Sequence, residues 1–256
     1  MYRGSMTSSK APEHDAVIPH PPLRRYYDGA ENRRDFVDWI FDDTAVHYDW
    51  INRVMSLGSG VNYRRDALTR AGVEEGMRVL DVCSGSAQVA RAAEQIVGGN
   101  GWVCCLDASL CMLREARQFV AAPRTQGFVE SLPVADETFD AVTMGYALRH
   151  VSDLGVTFAE YRRVLKPGGR LLVLEFTKPR SRLMYLICRF YLRRVVPAMA
   201  RLRGRNARTL MEYFWDTIDN CVPPETILGA LETAGFRDVD RFGQIELFSE
   251  YTATKP

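Results

Sequence analysis

From about Gly76 onward, apolar residues gather into short dense runs separated by stretches of helical spacing. Val79, Leu80 and Val82 read as the end of a buried strand, Arg78–Val82, and the VARAAEQIV that follows spaces its apolar and small residues as one helix face. WVCCL, Trp102–Leu106, is a second strand ending in Asp107, and Leu110–Phe119 is a helix. Phe128 and Val129 suggest a short third strand, and Ala141–Met144 a fourth. Leu154–Val164 is a helix with Phe158, Tyr161 and Val164 at core spacing; the KPGG turn then leads into a fifth strand, Arg170–Phe176. Pro224–Ala234 reads as a helix closed by Gly235, and Phe236–Phe242 with Leu247–Thr254 as a closing antiparallel hairpin. Repeated β–α alternation of this kind predicts an α/β fold whose mostly parallel sheet carries helices on both faces.

The chain before this core has a different texture. Residues 1–30 carry Ser, Pro, His and charge without periodicity and are expected to be a mobile arm. Residues 31–75 read as a helical cap: Phe36, Trp39 and Ile40 share one face of a first helix, and Gly58 and Gly60 break it from a second. The core then spans 76–256, with a helical insertion at about 180–220 before the last strands.

Composition narrows the function classes. A chain of 256 residues, 46% hydrophobic, supports one large α/β domain, or a domain plus a cap. Lys and Arg number 33 against 32 Asp and Glu, so bulk charge does not mark a nucleic-acid binder. The six cysteines form no C-x-x-C pair, several lie in apolar runs, and no targeting segment or uncharged membrane-length run is recognised. A reduced, cytoplasmic protein is expected. His and carboxylates do not fall at ligand spacing, so metal independence is expected as well.

Three places concentrate chemistry. The turn Cys83-Ser84-Gly85-Ser86-Ala87 joins a strand to a helix, where small side chains admit a ligand to the backbone and the helix start offers free N–H donors. It is neither a good dinucleotide fingerprint nor a P-loop, since only Gly85 of the spaced small positions is glycine and no Gly-Lys-Ser/Thr follows. Asp107 ends the second strand, where a carboxylate accepts from both hydroxyls of a ribose; a helix N-cap at Asp107 or Ser109 is the plainer reading, compatible with the first. After the fourth strand, Tyr146, Arg149 and His150 come together at the carboxyl edge of the sheet, where a guanidinium suits an anionic or enolic substrate and an imidazole suits proton removal. The competing account of Arg149 is a surface salt bridge to Asp153.

VLDVCSGSAQVA, CCLDASLCMLREAR, ESLPVADETFDAVTMGYALRHV and EYRRVLKPGGRLLVLEFTKP, in this order, resemble a class I S-adenosylmethionine-dependent methyltransferase. The closer resemblance is to the ubiquinone/menaquinone biosynthesis C-methyltransferase family, over about Phe36 to Phe242. It rests on Phe41, Ala45, Tyr48 and Asp49, on Asn52, Met55, Ser56 and Gly58, on Arg149-His150-Val151 and on Leu174–Pro179. The resemblance implies a Rossmann-like fold with a seven-stranded sheet. It implies S-adenosylmethionine as cofactor, S-adenosylhomocysteine as product, and no metal. It places Asp81, Ser84, Gly85 and Ser86 around the amino-acid end of the cofactor, Asp107 at the ribose, and Ala108 and Met112 beside the adenine. Phe128-Val129 stands where the family usually has Asp-Ala, leaving the Val129 backbone N–H to meet the adenine. Tyr48, Tyr146 and Arg149 would face the substrate. The chain departs from the family at Ala87, at Gln88, at His150 in place of Asn, and at its C-terminal end, GQIELFSEYTATKP.

The expected reaction is methyl transfer to a small molecule, at carbon of a quinol- or enol-type ring. Arg149 would stabilise the oxyanion, and His150 or Tyr48 would take or relay the proton. An O-, N- or S-methyltransferase of natural-product biosynthesis and a non-catalytic cofactor binder are the alternatives. Lys178–Arg208 carries ten Lys or Arg and no Asp or Glu, with Leu183, Leu186, Ile187 and Phe190 on one helical face. Three roles are open for it: a cap over the substrate, packing on a second subunit of a homodimer, or contact with an anionic membrane surface. Tyr213, Phe214 and Trp215 either line an aromatic pocket or belong to plain core.

Overall fold

The computed structural model describes residues 16–29, 31–55 and 60–256, without the side chains of 53–55 and 203. Helices α1 (Arg33–Met55) and α2 (Gly60–Arg70) precede β1 (Arg78–Val82), α3 (Gln88–Val97), β2 (Trp102–Asp107), α4 (Leu110–Ala116), β3 (Arg124–Gln126) and β4 (Phe139–Gly145). Then come α5 (Leu154–Val164), β5 (Leu165–Phe176), α6 (Arg182–Phe190), α7 (Val196–Ala200), α8 (Arg205–Asp219), α9 (Pro224–Thr233), β6 (Arg237–Gln244) and β7 (Phe248–Thr254). The seven strands form one sheet in the order β3-β2-β1-β4-β5-β7-β6. All pairings are parallel except those of β7, which runs antiparallel to both β5 and β6.

Strand alternation splits the core in two. Leu80, Val82, Val142 and Met144 pack with Phe158, Tyr161 and Leu231 on one face, while Val79 and Val103 pack with Ala90, Ala93 and Leu68 on the other. The alanines of α3 permit its close approach to the sheet and to α2. A third cluster joins Ile40 and Ile51 of α1 with Phe176, Leu192, Leu210, Trp215 and Ile218, laying the N-terminal helix and the insertion together over the carboxyl end of β5. Side chains cap three helices: Ser109 accepts from Met112 N–H at 3.0 Å, Asp153 from Gly155 N–H at 2.7 Å, and Ser181 from Met184 N–H at 3.3 Å.

Strand order reverses between β1 and β4, since β2 and β3 lie to one side and β5 to the other. The carboxyl ends of β1 and β4 therefore diverge into a crevice, and Val82 sits opposite Met144 at its floor.

Several local expectations change. The third strand is Arg124–Gln126; Phe128 makes only an isolated bridge with Ser131. As an edge strand, β3 buries little, so its polar sequence hid it while the apolar pair beyond drew attention. The KPGG stretch is drawn into β5, which begins at Leu165 and shifts register against β4 before Arg170. Of the expected mobile arm, residues 1–15 lie outside the described residues, and 16–29 are tied down. The Val17 carbonyl accepts from Leu154 N–H at 2.9 Å, the Pro19 carbonyl from Val222 N–H at 2.8 Å, and Tyr26 donates to Asp216 at 2.7 Å. The first of these bonds satisfies a helix-start N–H of α5 that has no partner within its own helix. Gly58 lies outside the described residues, and α2 begins at Gly60. Among the described residues no helix is long and apolar enough to cross a membrane.

Candidate active site

Two cavities open at the crevice, one of about 250 Å³ and one of about 280 Å³. They share Phe41, Tyr48 and Tyr146, and Tyr48 and Tyr146 also line a recess of about 30 Å³ that runs inward between the ends of β1 and β4.

The recess is built by the turn after β1. Cys83, Gly85 and Ala87 all hold positive φ, at 52°, 53° and 62°, so the alternating left-handed backbone survives although two of its three positions carry a side chain. Ser84 and Ser86 line the recess with buried hydroxyl oxygens that have no hydrogen-bond partner among the described residues. Such orphaned groups cost stability unless a ligand meets them, and they suit an ammonium or a carboxylate. Asp81 also lines the recess, with both oxygens engaged: Thr143 hydroxyl donates at 2.8 Å and Ala90 N–H at 3.0 Å. Burial pushes its carboxyl up to about 7. Asp81 therefore ties β4 and the start of α3 to β1 while presenting a carboxyl edge to the recess.

Asp107 stands at the end of β2 in the first cavity. Gly85 N–H donates to one of its oxygens at 2.8 Å and Ser109 N–H to the other at 2.9 Å. A carboxylate has about four acceptor sites, so two remain for hydroxyls. Burial raises this carboxyl to about 6. Ser109, not Asp107, is the N-cap of α4, and its hydroxyl also donates to Asp42 of α1. Beyond Asp107, Ala108, Met112, Phe128 and Val129 form an apolar slot, and the Arg34 guanidinium lies 3.5 Å over the Phe128 ring.

Tyr146 holds a left-handed φ of 62° at the end of β4, anchored by its N–H on the Leu174 carbonyl at 2.7 Å; its ring meets Phe176 at 4.6 Å. Tyr48 comes from α1, and a Cβ on Gly85 would stand 3.6 Å from its ring. Burial raises both phenols, Tyr48 to about 12, so both are neutral hydrogen-bonding groups at ordinary pH. His150 lines the first cavity, with its ring stacked 5.6 Å from Tyr213 and edge-on 5.2 Å from Phe41. Burial, reinforced by Arg149 and Arg33, holds its imidazole well below the usual range. It is a neutral, weakly basic ring.

Arg149 is a correction. The short 3₁₀ turn 148–150 sends it inward, fully buried, where it pairs with Glu175 and donates from Nε to Thr217 at 3.1 Å. Its guanidinium sits 4.6 Å behind the Phe214 ring and lines neither cavity. Asp153, the partner considered from sequence, caps α5 instead.

Arg33 and Arg34 line the first cavity and Arg70 the second, but the cation that lines both the second cavity and the recess is Arg64 of α2. It donates to the Gly60 carbonyl at 2.9 Å and lies 5.2 Å over the Tyr146 ring. Its Nε has no hydrogen-bond partner among the described residues. Tyr63, Phe176, Met211, Phe214 and Phe248 complete a largely aromatic wall. Of the aromatic triplet in the insertion, Phe214 lines this cavity whereas Tyr213 and Trp215 are core. No pattern in the sequence singles out Arg64; only the packing of α2 against α3 brings it in. Among the described residues no group of His, Cys, Asp and Glu is placed to hold a metal ion.

Recess, carboxylate and apolar slot follow one another as the amino-acid end, ribose and adenine do in S-adenosylmethionine, and the residues present fit that molecule. This correspondence at the crevice of such a sheet defines a class I S-adenosylmethionine-dependent methyltransferase. Solved structures agree on the fold. Haemonchus contortus phosphoethanolamine N-methyltransferase 2, in complex with phosphomonomethylethanolamine and S-adenosylhomocysteine, superposes with a TM-score of 0.62 at 19% identity, over 88% of this chain and 60% of that one. A SAM-dependent methyltransferase from Aquifex aeolicus gives 0.54 at 20% identity, over 75% and 89%.

Sequence relatives are more specific. The model of the ubiE/COQ5 methyltransferase family matches residues 28–245, and the chain belongs to that family. A ubiquinone/menaquinone biosynthesis C-methyltransferase UbiE of Shewanella halifaxensis (strain HAW-EB4) is 34% identical over 218 residues, 82% of this chain and 86% of the relative. One from Marinomonas sp. (strain MWYL1) is 35% identical over 204 residues, 77% and 81%. The protein is a methyltransferase using S-adenosylmethionine and acting on a small molecule.

Proposed function

We propose that this enzyme methylates a ring carbon of a quinol-type acceptor held in the second cavity, as the names of its relatives describe for them. The observation that carries this reading is the aromatic cavity that shares Phe41, Tyr48 and Tyr146 with the cofactor groove, with Arg64 lining both that cavity and the recess.

When bound, S-adenosylmethionine supplies a methyl already activated on a sulfonium. The chain's own residues then hold, orient and exclude water. Ser84, Ser86 and Asp81 hold the amino-acid end, and Asp107 accepts from the ribose hydroxyls. Ala108, Met112, Phe128 and Val129 enclose the adenine. Tyr48 and Tyr146 narrow the passage between the cavities so that donor and acceptor meet end to end and water stays out. A ring carbon becomes nucleophilic when the neighbouring hydroxyl loses its proton to solvent at the open side of the second cavity. The ring carbon that takes the methyl then gives up its own proton and the oxygen is reprotonated, so that one proton is released overall. Arg64 lowers the cost of the first loss by facing the resulting oxyanion. Tyr48, with its raised pKa, serves as a hydrogen-bond donor to the same oxygen. His150 orders the groove by stacking. The segment 31–75 acts as a cap that brings Tyr48 and Arg64 over the core.

The test offers the purified enzyme S-adenosylmethionine with a panel of hydroquinones, phenols, thiols and amines, and locates the new methyl by NMR and mass spectrometry. A C-methylated hydroquinone is the expected product. Methyl found only on O, N or S would overturn the assignment of a carbon acceptor.

A further inference from the structure

Helix α6 leaves its most apolar side uncovered. Leu183, Leu186, Ile187 and Phe190 fall at the three- and four-residue spacing of one helical face and are 49–70% exposed, whereas Cys188 and, beyond it, Leu192 are buried in the cluster beneath. Contiguous exposed bulky residues of this kind mark a surface that meets an apolar phase or a partner. Charge on the same segment has a single sign: between Lys178 and Arg208 there are ten Lys or Arg and no acid. Lys178, Arg180 and Arg208 pair with Asp219, Glu225 and Glu212 from outside it. Arg182, Arg189, Arg193, Arg194 and Arg201 are exposed and form no ion pair among the described residues.

We propose that this face docks α6 onto an anionic lipid bilayer, with the four apolar side chains entering the acyl boundary and the arginines meeting headgroup phosphates. An amphipathic helix with arginines beside an apolar stripe is the form that lies in such an interface. A second copy of the chain is the poorer occupant, because a two-fold contact sets the same patch against itself and would bring these unpaired arginines together. The stripe also begins beside the second cavity. Ser181 N–H donates to Glu246 at 2.8 Å, and the adjoining Ile245, 67% exposed, lines that cavity. Docking would thus set the cavity near the lipid. Delivery of a lipophilic acceptor by this route rests on the proposed quinol reading; the docking itself does not.

The full-length enzyme is floated with vesicles of phosphatidylcholine alone and of phosphatidylcholine with phosphatidylglycerol. Wild type is expected to float with the anionic vesicles only. Arg189→Gln with Arg193→Gln should weaken that binding about thirtyfold, taking about fivefold per basic residue near an anionic surface. Leu186→Ser with Phe190→Ser should reduce it to the level seen with neutral vesicles. Circular dichroism and S-adenosylmethionine binding, unchanged in both variants, show that each is folded. No flotation, equal flotation with neutral vesicles, or binding that both variants retain overturns the proposal. So does a dimer in analytical ultracentrifugation that the apolar substitutions dissociate. None of these readouts uses the acceptor, so docking and acceptor chemistry fail separately.

Discussion

Replacing Asp107 by Asn tests the cofactor groove with one heavy-atom exchange. The carboxylate already accepts Gly85 N–H and Ser109 N–H, one on each oxygen, and keeps one site per oxygen for the ribose. Hydrogen bonds to a charged acceptor contribute about 1.5–3 kcal/mol each. Asn retains one acceptor oxygen, and its amide NH2 must point at either Gly85 N–H or Ser109 N–H, both donors. One ribose bond weakens, the other is lost, and the turn after β1 loosens. The expected loss is about 2–4 kcal/mol, or roughly 30- to 800-fold in Kd. Isothermal titration of S-adenosylmethionine and S-adenosylhomocysteine measures it, and a second axis comes from pH. Burial holds the free Asp107 carboxyl at about 6. Ribose hydroxyls donate to the ionised form, so binding lowers that pKa. Below about pH 6 the ligand must displace a proton and Kd weakens as pH falls; above it Kd is flat. Asp107→Asn should remove this dependence. A Kd within about threefold of wild type, with the same pH profile, would refute the role given to Asp107.

Three further outcomes follow from the geometry. Glu175→Ala leaves the Arg149 cation buried without its counter-charge and should cost about 3–5 kcal/mol in urea unfolding; Arg149→Met with Glu175→Gln should recover most of it, and a single variant within about 1 kcal/mol of wild type would contradict a structural role for the pair. Arg64→Gln should lower turnover at saturating substrates at least about tenfold while leaving the Kd of S-adenosylmethionine within about threefold, as for a group acting on the transition-state oxyanion; equal losses in both would place Arg64 on the cofactor instead. Asp81, whose carboxyl is raised to about 7, holds its proton longer in the folded than in the unfolded chain. That contribution to stability is complete below the unfolded pKa of about 3.8 and is lost as pH rises through about 7, so Asp81→Asn should raise the urea midpoint at pH 8 relative to that at pH 5 when compared with wild type, and an unchanged difference would contradict the raised carboxyl.

What could be read from the chain follows from where information resides locally. The parallel strands announced themselves because they are buried on both faces, and Asp107 and the Cys83–Ala87 turn because strand end, turn and helix start adjoin in sequence. Strand β3 did not, because an edge strand as short and exposed as Arg124–Gln126 has no apolar signature. Phe128 and Val129, taken for that strand, belong to the slot beside Asp107. Positions 149 and 150 differ by about a third of a turn, which sequence does not orient: one points into the protein at Glu175 and the other into the groove.

The Arg149–Glu175 pair joins these observations. A buried ion pair is a poor source of net stability compared with apolar packing, yet this one fixes three elements at once. Glu175 accepts from the backbone N–H of Arg149 at 3.2 Å and of Phe176 at 2.6 Å, and Arg149 reaches Thr217 of α8. The end of β5, the turn after β4 and the helix carrying Phe214 are thereby locked in register behind the aromatic wall. Phe176 and Phe214 meet edge-on with ring centres 5.1 Å apart, in front of that guanidinium. The charge that sequence placed among the reacting groups thus lies one layer back, where it sets the shape of the cavity, while the proposed contact with the acceptor belongs to Arg64 of α2. Helices α1 and α2 and the strand ends both line the second cavity, so on this proposal acceptor selectivity should depend on how α2 sits on α3 as well as on the strand ends.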